Sequence, residues 1–286
     1  MLDLLPQVMA CLMVDTLSES SRQELLASEG LEQSRLPSYG LFNSLILADG
    51  DSFSGHNALR QAGVEGSKLA VQMQKIRNMD AFTTWLPRVR LVGYDMYVTP
   101  ENISYLFAGL SNLIVFLCVD NHKTRYEISR WLEENAHNRL LLINGGNEKL
   151  TGNVTIYQKE YGTAYDPPLY KLYPDVNPNA DKRPDEVHCG TVSVSNDQTA
   201  IINHMIASVM LNMFRKYIMH DGEDEAFNQK LRQKGPDGNP LKIRKNEVII
   251  DLENNTMMAL SHKADTDNRR VPVATVENVP ENVDFE

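Results

Sequence analysis

The chain has 286 residues, of which 42% are hydrophobic, enough for the core of one large α/β domain or of a domain with an appendage. Its 38 acidic residues against 28 lysines and arginines give a formal net charge of −10, which argues against a nucleic acid partner because phosphate contacts need a basic surface. We expect a cytoplasmic protein with no membrane segment, since apolar runs are short, no signal peptide is evident and the three cysteines are scattered.

The N-terminal residues carry a helical pattern. Apolar side chains recur at helical spacing over residues 2–15, which predicts a buried helix there. A polar stretch follows, and an apolar run then predicts a strand over residues 43–48 that ends at Asp49. The next helix is predicted around residues 67–78.

Strands and helices then alternate. The pattern predicts a strand over residues 87–98, a helix from Pro100 to Leu110, an all-apolar strand over 113–119, a helix over 123–136 and a strand over 140–144. Strands separated by helices form parallel sheets with right-handed crossovers. We therefore predict an α/β, Rossmann-like fold with a mainly parallel sheet and helices on both faces.

The pattern changes after Gly146. An alternating strand is predicted over residues 152–157, followed by a long ordered loop over 162–190. Residues 198–218 predict a helix too apolar for a free surface, so it packs on the core or on a second subunit.

The C-terminal residues do not continue the alternation of strands and helices. The pair Asn254-Asn255 predicts a β-hairpin, followed from about residue 265 by a flexible polar tail. We divide the chain into a nucleotide-binding domain, residues 1–219, and a C-terminal extension, residues 220–286.

Polar residues follow two of the predicted strands. In an open parallel sheet, ligands bind outside the carboxyl ends of the strands, where carboxylates take ribose hydroxyls and cations take phosphates. A single strand-end aspartate is more often a turn residue or a helix cap. In the combination found here, eight residues form a candidate nucleotide site: Asp49, Asp51, Asn57, Arg60, Gln61, Lys68, Asp120 and Asn121.

These motifs resemble the ThiF/MoeB/HesA family, the adenylating domain shared with ubiquitin-activating enzymes. The family pattern Asp-x-Asp, then Ser-Asn-x-x-Arg-Gln and a lysine, matches Asp49 to Gln61 and Lys68 without a gap, except that His56 replaces the serine. The later pattern Asp-Asn-x-x-Thr-Arg is kept from Asp120 to Arg125. The resemblance covers roughly residues 2–218.

The resemblance implies ATP-dependent adenylation of the C-terminal carboxylate of a ubiquitin-like or sulfur-carrier protein by a homodimer. Asp49 would bind the ribose of ATP while Asp51 supports the loop, and Asp120 would organise Mg²⁺. Nucleotide contacts are also implied at Gln61 and Asn121. The phosphates would be held and neutralised by Asn57, Arg60 and Lys68.

Cys189 lies in a predicted loop just before the long helix. The resemblance implies that such a cysteine accepts the activated carboxylate as a thioester, and a thiol near a helix N-terminus is nucleophilic. An inert loop cysteine is the simple alternative. The implied catalytic set is therefore Arg60, Lys68, Asp120 and Cys189.

The glycine-rich motif of the family does not appear before Asp49 in this sequence. The family's first strand leads into Gly-x-Gly-Gly-x-Gly, which cradles phosphates, and no such motif precedes Asp49. We expect this domain to be N-terminally incomplete, with unpaired backbone groups and a cleft where a central strand is lost. Three hypotheses stay open: an active enzyme whose sequence starts too late, a degenerate member that binds nucleotide or a partner, and a Rossmann-like module for another nucleotide.

Overall fold

The structure is a computed structural model, which describes residues 11–16, 42–53, 66–79, 89–110, 112–136, 138–183, 186, 200–222 and 246–262. Its strands are β1 Cys11–Thr16, β2 Phe42–Ala48, β3 Ser52–Phe53, β4 Gly66–Ser67, β5 Arg90–Tyr94, β6 Asn112–Leu117, β7 Arg139–Asn147, β8 Thr151–Glu160, β9 Thr163–Ala164, β10 Glu247–Asp251 and β11 Thr256–Leu260. Its helices are α1 Lys68–Arg77, α2 Ile103–Leu106, α3 His122–Asn135, α4 Leu169–Leu172 and α5 Ala200–Gly222.

One large sheet organises the described residues. Its strand order is β11-β10-β8-β7-β6-β1-β2-β5, with β9 paired to β8, while β3 and β4 form a separate small pair. Following the pairings across the sheet, β2, β5, β6, β7 and β10 run in one direction. The predicted α/β fold with a mainly parallel sheet is confirmed.

Helices cover both faces of this sheet, as predicted. Strand β6 is buried along its whole length, so alternate side chains feed two cores. Ile114 and Phe116 pack with α1 and α5 on one face. Leu113, Val115 and Leu117 pack with α2 and α3 on the other. The all-apolar composition of this strand follows from that double burial.

The prediction for the N-terminal residues is wrong where the structure describes them. Residues 11–15, expected within a helix, belong to strand β1, which pairs antiparallel with β2 and with β6. The expected cleft is therefore closed, because two ladders satisfy the backbone groups of β2 and β6 that face this position. Residues 2–10 of the predicted helix lie outside the described residues.

Two predicted elements are shorter than expected, for a shared reason. Strand β5 ends at Tyr94 and helix α2 is a single turn, because the residues between them are fixed as a loop. The Asn102 side chain accepts a hydrogen bond from the Thr99 N–H at 2.9 Å and donates one to the Tyr97 carbonyl at 2.8 Å. These bonds compete with regular structure and hold residues 97–102 in place.

The long helix α5 packs on the sheet of its own chain. Ile206 and Met210 reach strands β7 and β8 closely because glycines face them: a Cβ at Gly145 would lie 2.5 Å from the Met210 sulfur, and one at Gly152 2.8 Å from Ile206 Cδ1. Packing on the core, one of the two predicted roles of this helix, is observed. A homodimer through this helix stays a prediction.

The predicted C-terminal hairpin is present. Strands β10 and β11 pair around a turn in which Asn255 has a φ of 52°, and β10 adds to the main sheet beside β8. The predicted tail from about residue 265 lies outside the described residues, and the domain division at residue 219 stays a prediction. Among the helices described, none combines the length and apolar character needed to cross a lipid bilayer.

Candidate functional site

The two motif-bearing strands end at the same edge of the sheet. Strand β1 begins at Cys11, which pairs with Ala48 at the end of β2 and with Leu117 at the end of β6. Because β2 and β6 run in the same direction on either side of β1, Asp49 and Asp120 both follow strands at this carboxyl edge. This is the edge where ligands bind in open α/β sheets.

Asp49 is held in a tight turn. Its side chain is 2% exposed, and its Oδ1 accepts a hydrogen bond from the Asp51 N–H at 2.9 Å. Its own N–H donates to the Tyr94 carbonyl at 3.2 Å, which ties the end of β2 to the end of β5. An aspartate that bonds the backbone two residues ahead fixes the loop, so the carboxylate has a defined position.

Asp51 and Lys68 form an ion pair beside this turn. The Lys68 Nζ lies 2.7 Å from Asp51 Oδ2, and the Lys68 N–H also donates to the Asp51 carbonyl at 3.0 Å. The lysine side chain is 10% exposed and that of the aspartate 40%. Lys68 opens helix α1, whose N-cap Ser67 accepts from the Ala70 N–H at 3.2 Å. The structure thus places three predicted residues, Asp49, Asp51 and Lys68, together.

Tyr97 is a site residue that the sequence patterns missed. Its hydroxyl donates to Asp51 Oδ1 at 2.8 Å, opposite the oxygen that binds Lys68. Burial, followed by the hydrogen bond to Asp51 and the charges of Asp51, Asp49 and Asp120, raises the pKa of Tyr97 far above its ordinary value. The phenol therefore stays neutral and donates. The sequence feature that could have identified Tyr97 as a site residue is its position near the carboxyl end of a strand of the predicted parallel sheet.

Asp120 and Asn121 have different environments. The Asp120 carboxylate is exposed, and it makes no hydrogen bond or ion pair with any residue that the structure describes. Asn121 is 8% exposed, and its Oδ1 caps helix α3 by accepting from the Thr124 N–H at 2.8 Å. The nucleotide contact of Asn121 stays a prediction. Its amide oxygen already accepts the hydrogen bond from the Thr124 N–H.

Arg125 of the second motif joins two strand ends. Its guanidinium donates to the Val119 carbonyl from Nε at 3.0 Å and from Nη2 at 2.6 Å, and to the Gly145 carbonyl at 3.1 Å. Burial lowers its pKa, while the nearby Asp120 charge acts in the opposite direction. This arginine therefore fixes the backbone from which Asp120 projects.

A segment after α4 is fastened to helix α3. The Asp181 carboxylate accepts from the His122 N–H at 2.8 Å and from the Lys123 N–H at 2.9 Å, next to Asp120 in the chain. Arg183 binds Glu127 with distances of 3.0 Å and 3.2 Å. Residues 181–183 are thus held by charged contacts to the start of the helix that follows Asp120. The segment 162–190, predicted as one long loop, contains strand β9 and the short helix α4 in its described part.

Four predicted site residues lie outside the described residues: Asn57, Arg60, Gln61 and Cys189. Their roles stay predictions. Cys118, at the end of β6, has its pKa raised to about 12 by burial, so its thiol stays protonated at neutral pH. Within the described ranges, no group of three or more histidine, cysteine or acidic residues is arranged to hold a metal ion.

The described part of the site combines three carboxylates, one paired ammonium and one neutral phenol. Carboxylates at a strand end suit sugar hydroxyls, which donate hydrogen bonds to them. A polyphosphate carries charge of the same sign as the carboxylates and needs further positive charge nearby. The arrangement therefore suits a nucleotide that arrives with a cation.

Comparison with known proteins places this geometry in context. The profile of the ThiF family matches residues 34–248. The structure of E. coli MccB is similar, with a TM-score of 0.50 and 11% identity over 83% of this chain and 61% of that chain. E. coli MccB with AMPCPP and MccA gives 0.50 and 12% over 79% and 58%, and PaaA gives 0.45 and 14% over 75% and 63%. The chain spans less than two thirds of these solved chains, and identities this low show the fold alone. No curated protein matches the sequence.

Proposed function

Since this chain belongs to the ThiF family, we propose that it uses ATP to adenylate a carboxylate, namely the C-terminal carboxylate of a ubiquitin-like or sulfur-carrier protein. The observation that carries this proposal is the grouping of Asp49, Asp51 and Lys68 at the carboxyl edge of the sheet that also bears Asp120. The E. coli MccB structure that contains AMPCPP supports a nucleotide as ligand for this fold.

Asp49 binds the ribose of ATP in this proposal. The turn that fixes its carboxylate also fixes Asp51, so a hydroxyl can bond without reorganising the loop. Lys68 is paired with Asp51, and in this proposal its ammonium moves from Asp51 to a phosphate oxygen when the triphosphate arrives. An ammonium on a four-carbon stem can make that exchange with little movement of the helix.

In this proposal Asp120 would be the carboxylate that holds Mg²⁺. Mg²⁺ is commonly bound by one or two carboxylates plus substrate phosphates, and Asp120, which is exposed and has no ion-pair partner among the described residues, suits such a donor set. When bound, Mg²⁺ supplies charge neutralisation at the phosphates. In this proposal Arg60, which lies outside the described residues, adds a second positive charge.

The reaction needs no protein nucleophile in its first step. A carboxylate oxygen of the carrier protein attacks the α-phosphorus of ATP, the bond to the β-phosphate oxygen breaks, and pyrophosphate leaves with the electron pair. The product is an acyl-adenylate. The chain contributes positioning and charge neutralisation, which are the main demands of phosphoryl and nucleotidyl transfer.

The remaining parts of the proposal concern the steps around adenylation. The Cys189 thiolate attacks the acyl-adenylate carbonyl in a second step, giving a thioester and AMP. Asn57, Gln61 and Asn121 complete the nucleotide contacts. The active form is a cytoplasmic homodimer that contacts the carrier protein through the same edge.

A second candidate function is favoured by one observation. Strand β1 runs antiparallel to β2 and β6, so its amino end lies at the edge of the sheet where β2 and β6 have their carboxyl ends. A phosphate-binding glycine loop follows the carboxyl end of a strand, and this strand has that end at the opposite edge. This arrangement favours a ThiF-family protein that binds nucleotide or a partner without catalysis.

Two assays on the full chain separate the candidates. Calorimetric titration with Mg²⁺ and AMPCPP tests binding, and ATP–pyrophosphate exchange with a panel of ubiquitin-like and sulfur-carrier proteins tests adenylation. Exchange that depends on a carrier and is lost in Asp120→Asn supports the first candidate. Binding without exchange supports the second candidate, a protein that binds nucleotide without catalysis. If AMPCPP does not bind, neither candidate holds as a nucleotide-binding protein. Glu253→Gln, an exposed position in the hairpin turn, is the control.

A further inference from the structure

Tyr97 occupies a position that its packing defines closely. A Cβ on Gly50 would lie 2.6 Å from the Tyr97 backbone nitrogen and 2.8 Å from its Cγ, so the tyrosine lies directly on the Asp49-to-Asp51 turn. The Tyr97 carbonyl accepts from Asn102, which anchors the loop from the other side. The backbone of Tyr97 is thus anchored, and its ring lies against the turn.

The hydroxyl of this tyrosine completes the surroundings of one carboxylate. Asp51 Oδ1 accepts from Tyr97 at 2.8 Å and Oδ2 from the Lys68 ammonium at 2.7 Å. A carboxylate with one donor can rotate and offer either oxygen, whereas one with a donor at each oxygen has a single orientation. The direction of the ion pair therefore depends on the phenol.

We propose that Tyr97 is a positioning residue for Lys68: its hydroxyl fixes Asp51, and Asp51 fixes where the Lys68 ammonium lies before the phosphates arrive. The consequence for nucleotide binding rests on the proposed function, because it takes Lys68 as a phosphate ligand. The effect on the ammonium itself does not depend on any nucleotide.

The phenol suits this role because it adds no charge. Asp49, Asp51 and Asp120 all act electrostatically on Tyr97, so an ionised phenolate here would repel both carboxylates and phosphates. A neutral donor orients Asp51 without making the site more negative. A cation in its place would compete with Lys68 for Asp51.

The first test observes the lysine directly. In full-length protein labelled with ¹⁵N-lysine, the ammonium resonance of Lys68, assigned by its loss in Lys68→Arg, is compared between wild type and Tyr97→Phe. We expect this resonance to shift or broaden in Tyr97→Phe and to stay in place in Tyr105→Phe, an exposed tyrosine after the same strand. An unchanged Lys68 resonance in Tyr97→Phe overturns the proposal.

The second test separates positioning from a merely structural role. Tyr97→Phe should weaken AMPCPP binding by about three- to tenfold, the effect of one lost hydrogen bond, and leave adenosine binding unchanged because adenosine has no phosphates. In an Asp51→Asn background the same substitution should add nothing. Equal losses for AMPCPP and adenosine overturn the proposal.

If the wild type binds no AMPCPP, the proposed function fails, and the Lys68 resonance still decides the role of Tyr97. Melting temperatures of all variants accompany both tests. A Tyr97→Phe protein that melts like wild type but loses the Lys68 signal supports positioning, whereas an intact signal refutes it.

Discussion

Asp166 gives the protein a pH-dependent stability that a single substitution should remove. Its side chain is 6% exposed in the loop after β9, and its two oxygens accept hydrogen bonds from the Gln158 N–H at 2.9 Å and from Asn246 Nδ2 at 2.7 Å. Burial raises the pKa of Asp166 from 3.8 to about 6, and the two hydrogen bonds and the His262 charge oppose that rise.

The direction and size of the effect follow from this pKa. Between about pH 4 and pH 6 the native state binds the Asp166 proton and the unfolded chain does not, so the free energy of unfolding falls as pH rises. A difference of about two pKa units corresponds to on the order of 3 kcal/mol. That stabilisation is present below pH 4 and lost above pH 6.

The assay is guanidinium denaturation of wild type and Asp166→Asn from pH 4 to pH 7. The asparagine does not titrate, so the unfolding free energy of wild type minus that of the variant should fall by on the order of 3 kcal/mol over this range. Asp175→Asn, an exposed aspartate that follows helix α4, is the control. A wild-type minus Asp166→Asn difference that stays constant or rises with pH refutes the reasoning.

Two further substitutions test the packing that supports the site. Gly50→Ala should destabilise the protein by about 1–3 kcal/mol, because its Cβ would meet backbone atoms of residues 96 and 97. Gly93→Ala is the matched control and should cost less, because its Cβ meets only movable side-chain ends at 3.2 Å. Equal melting temperatures of the two variants would contradict this reasoning. Arg125→Met should cost about 2–5 kcal/mol in guanidinium denaturation, since the two buried carbonyls of Val119 and Gly145 lose their donor. Arg130→Met, at a side chain that is 42% exposed, should cost far less. A loss below about 1 kcal/mol at Arg125 would show that the carbonyls find other partners.

The elements that sequence predicts best are those whose local signals agree with their tertiary environment. Strand β6 is apolar along its length because both of its faces are buried, and α3 begins where Asn121 supplies a cap. The ThiF resemblance rested on residues near these elements and is confirmed by the match over residues 34–248. The edge shared by Asp49 and Asp120 followed from strand direction alone.

Strand β1 was mispredicted because its sequence is compatible with two structures. Residues 11–14, Cys-Leu-Met-Val, form a short apolar run that fits a helix begun upstream as well as a buried strand. Its antiparallel pairing with β2 and β6 decides between them, and those partners lie far away in sequence. Periodicity within one segment carries no information about such partners.

Tyr97 was missed for a related reason. Its role depends on Gly50, about fifty residues earlier, and on the loop that Asn102 holds. Neither contact leaves a spacing pattern near Tyr97. The ion pair of Asp51 with Lys68 leaves no spacing pattern either, because the two residues are 17 positions apart in the chain.

The most direct test of the nucleotide site is the affinity of the full chain for AMPCPP with Mg²⁺, measured calorimetrically for wild type and Asp49→Asn. We expect saturable binding by wild type and a loss of about tenfold or more in the variant, because a hydrogen bond from a ribose hydroxyl to a buried carboxylate is lost. Glu253→Gln should bind like wild type. Equal affinities of wild type and Asp49→Asn, or no binding by wild type, would contradict a nucleotide site at this edge.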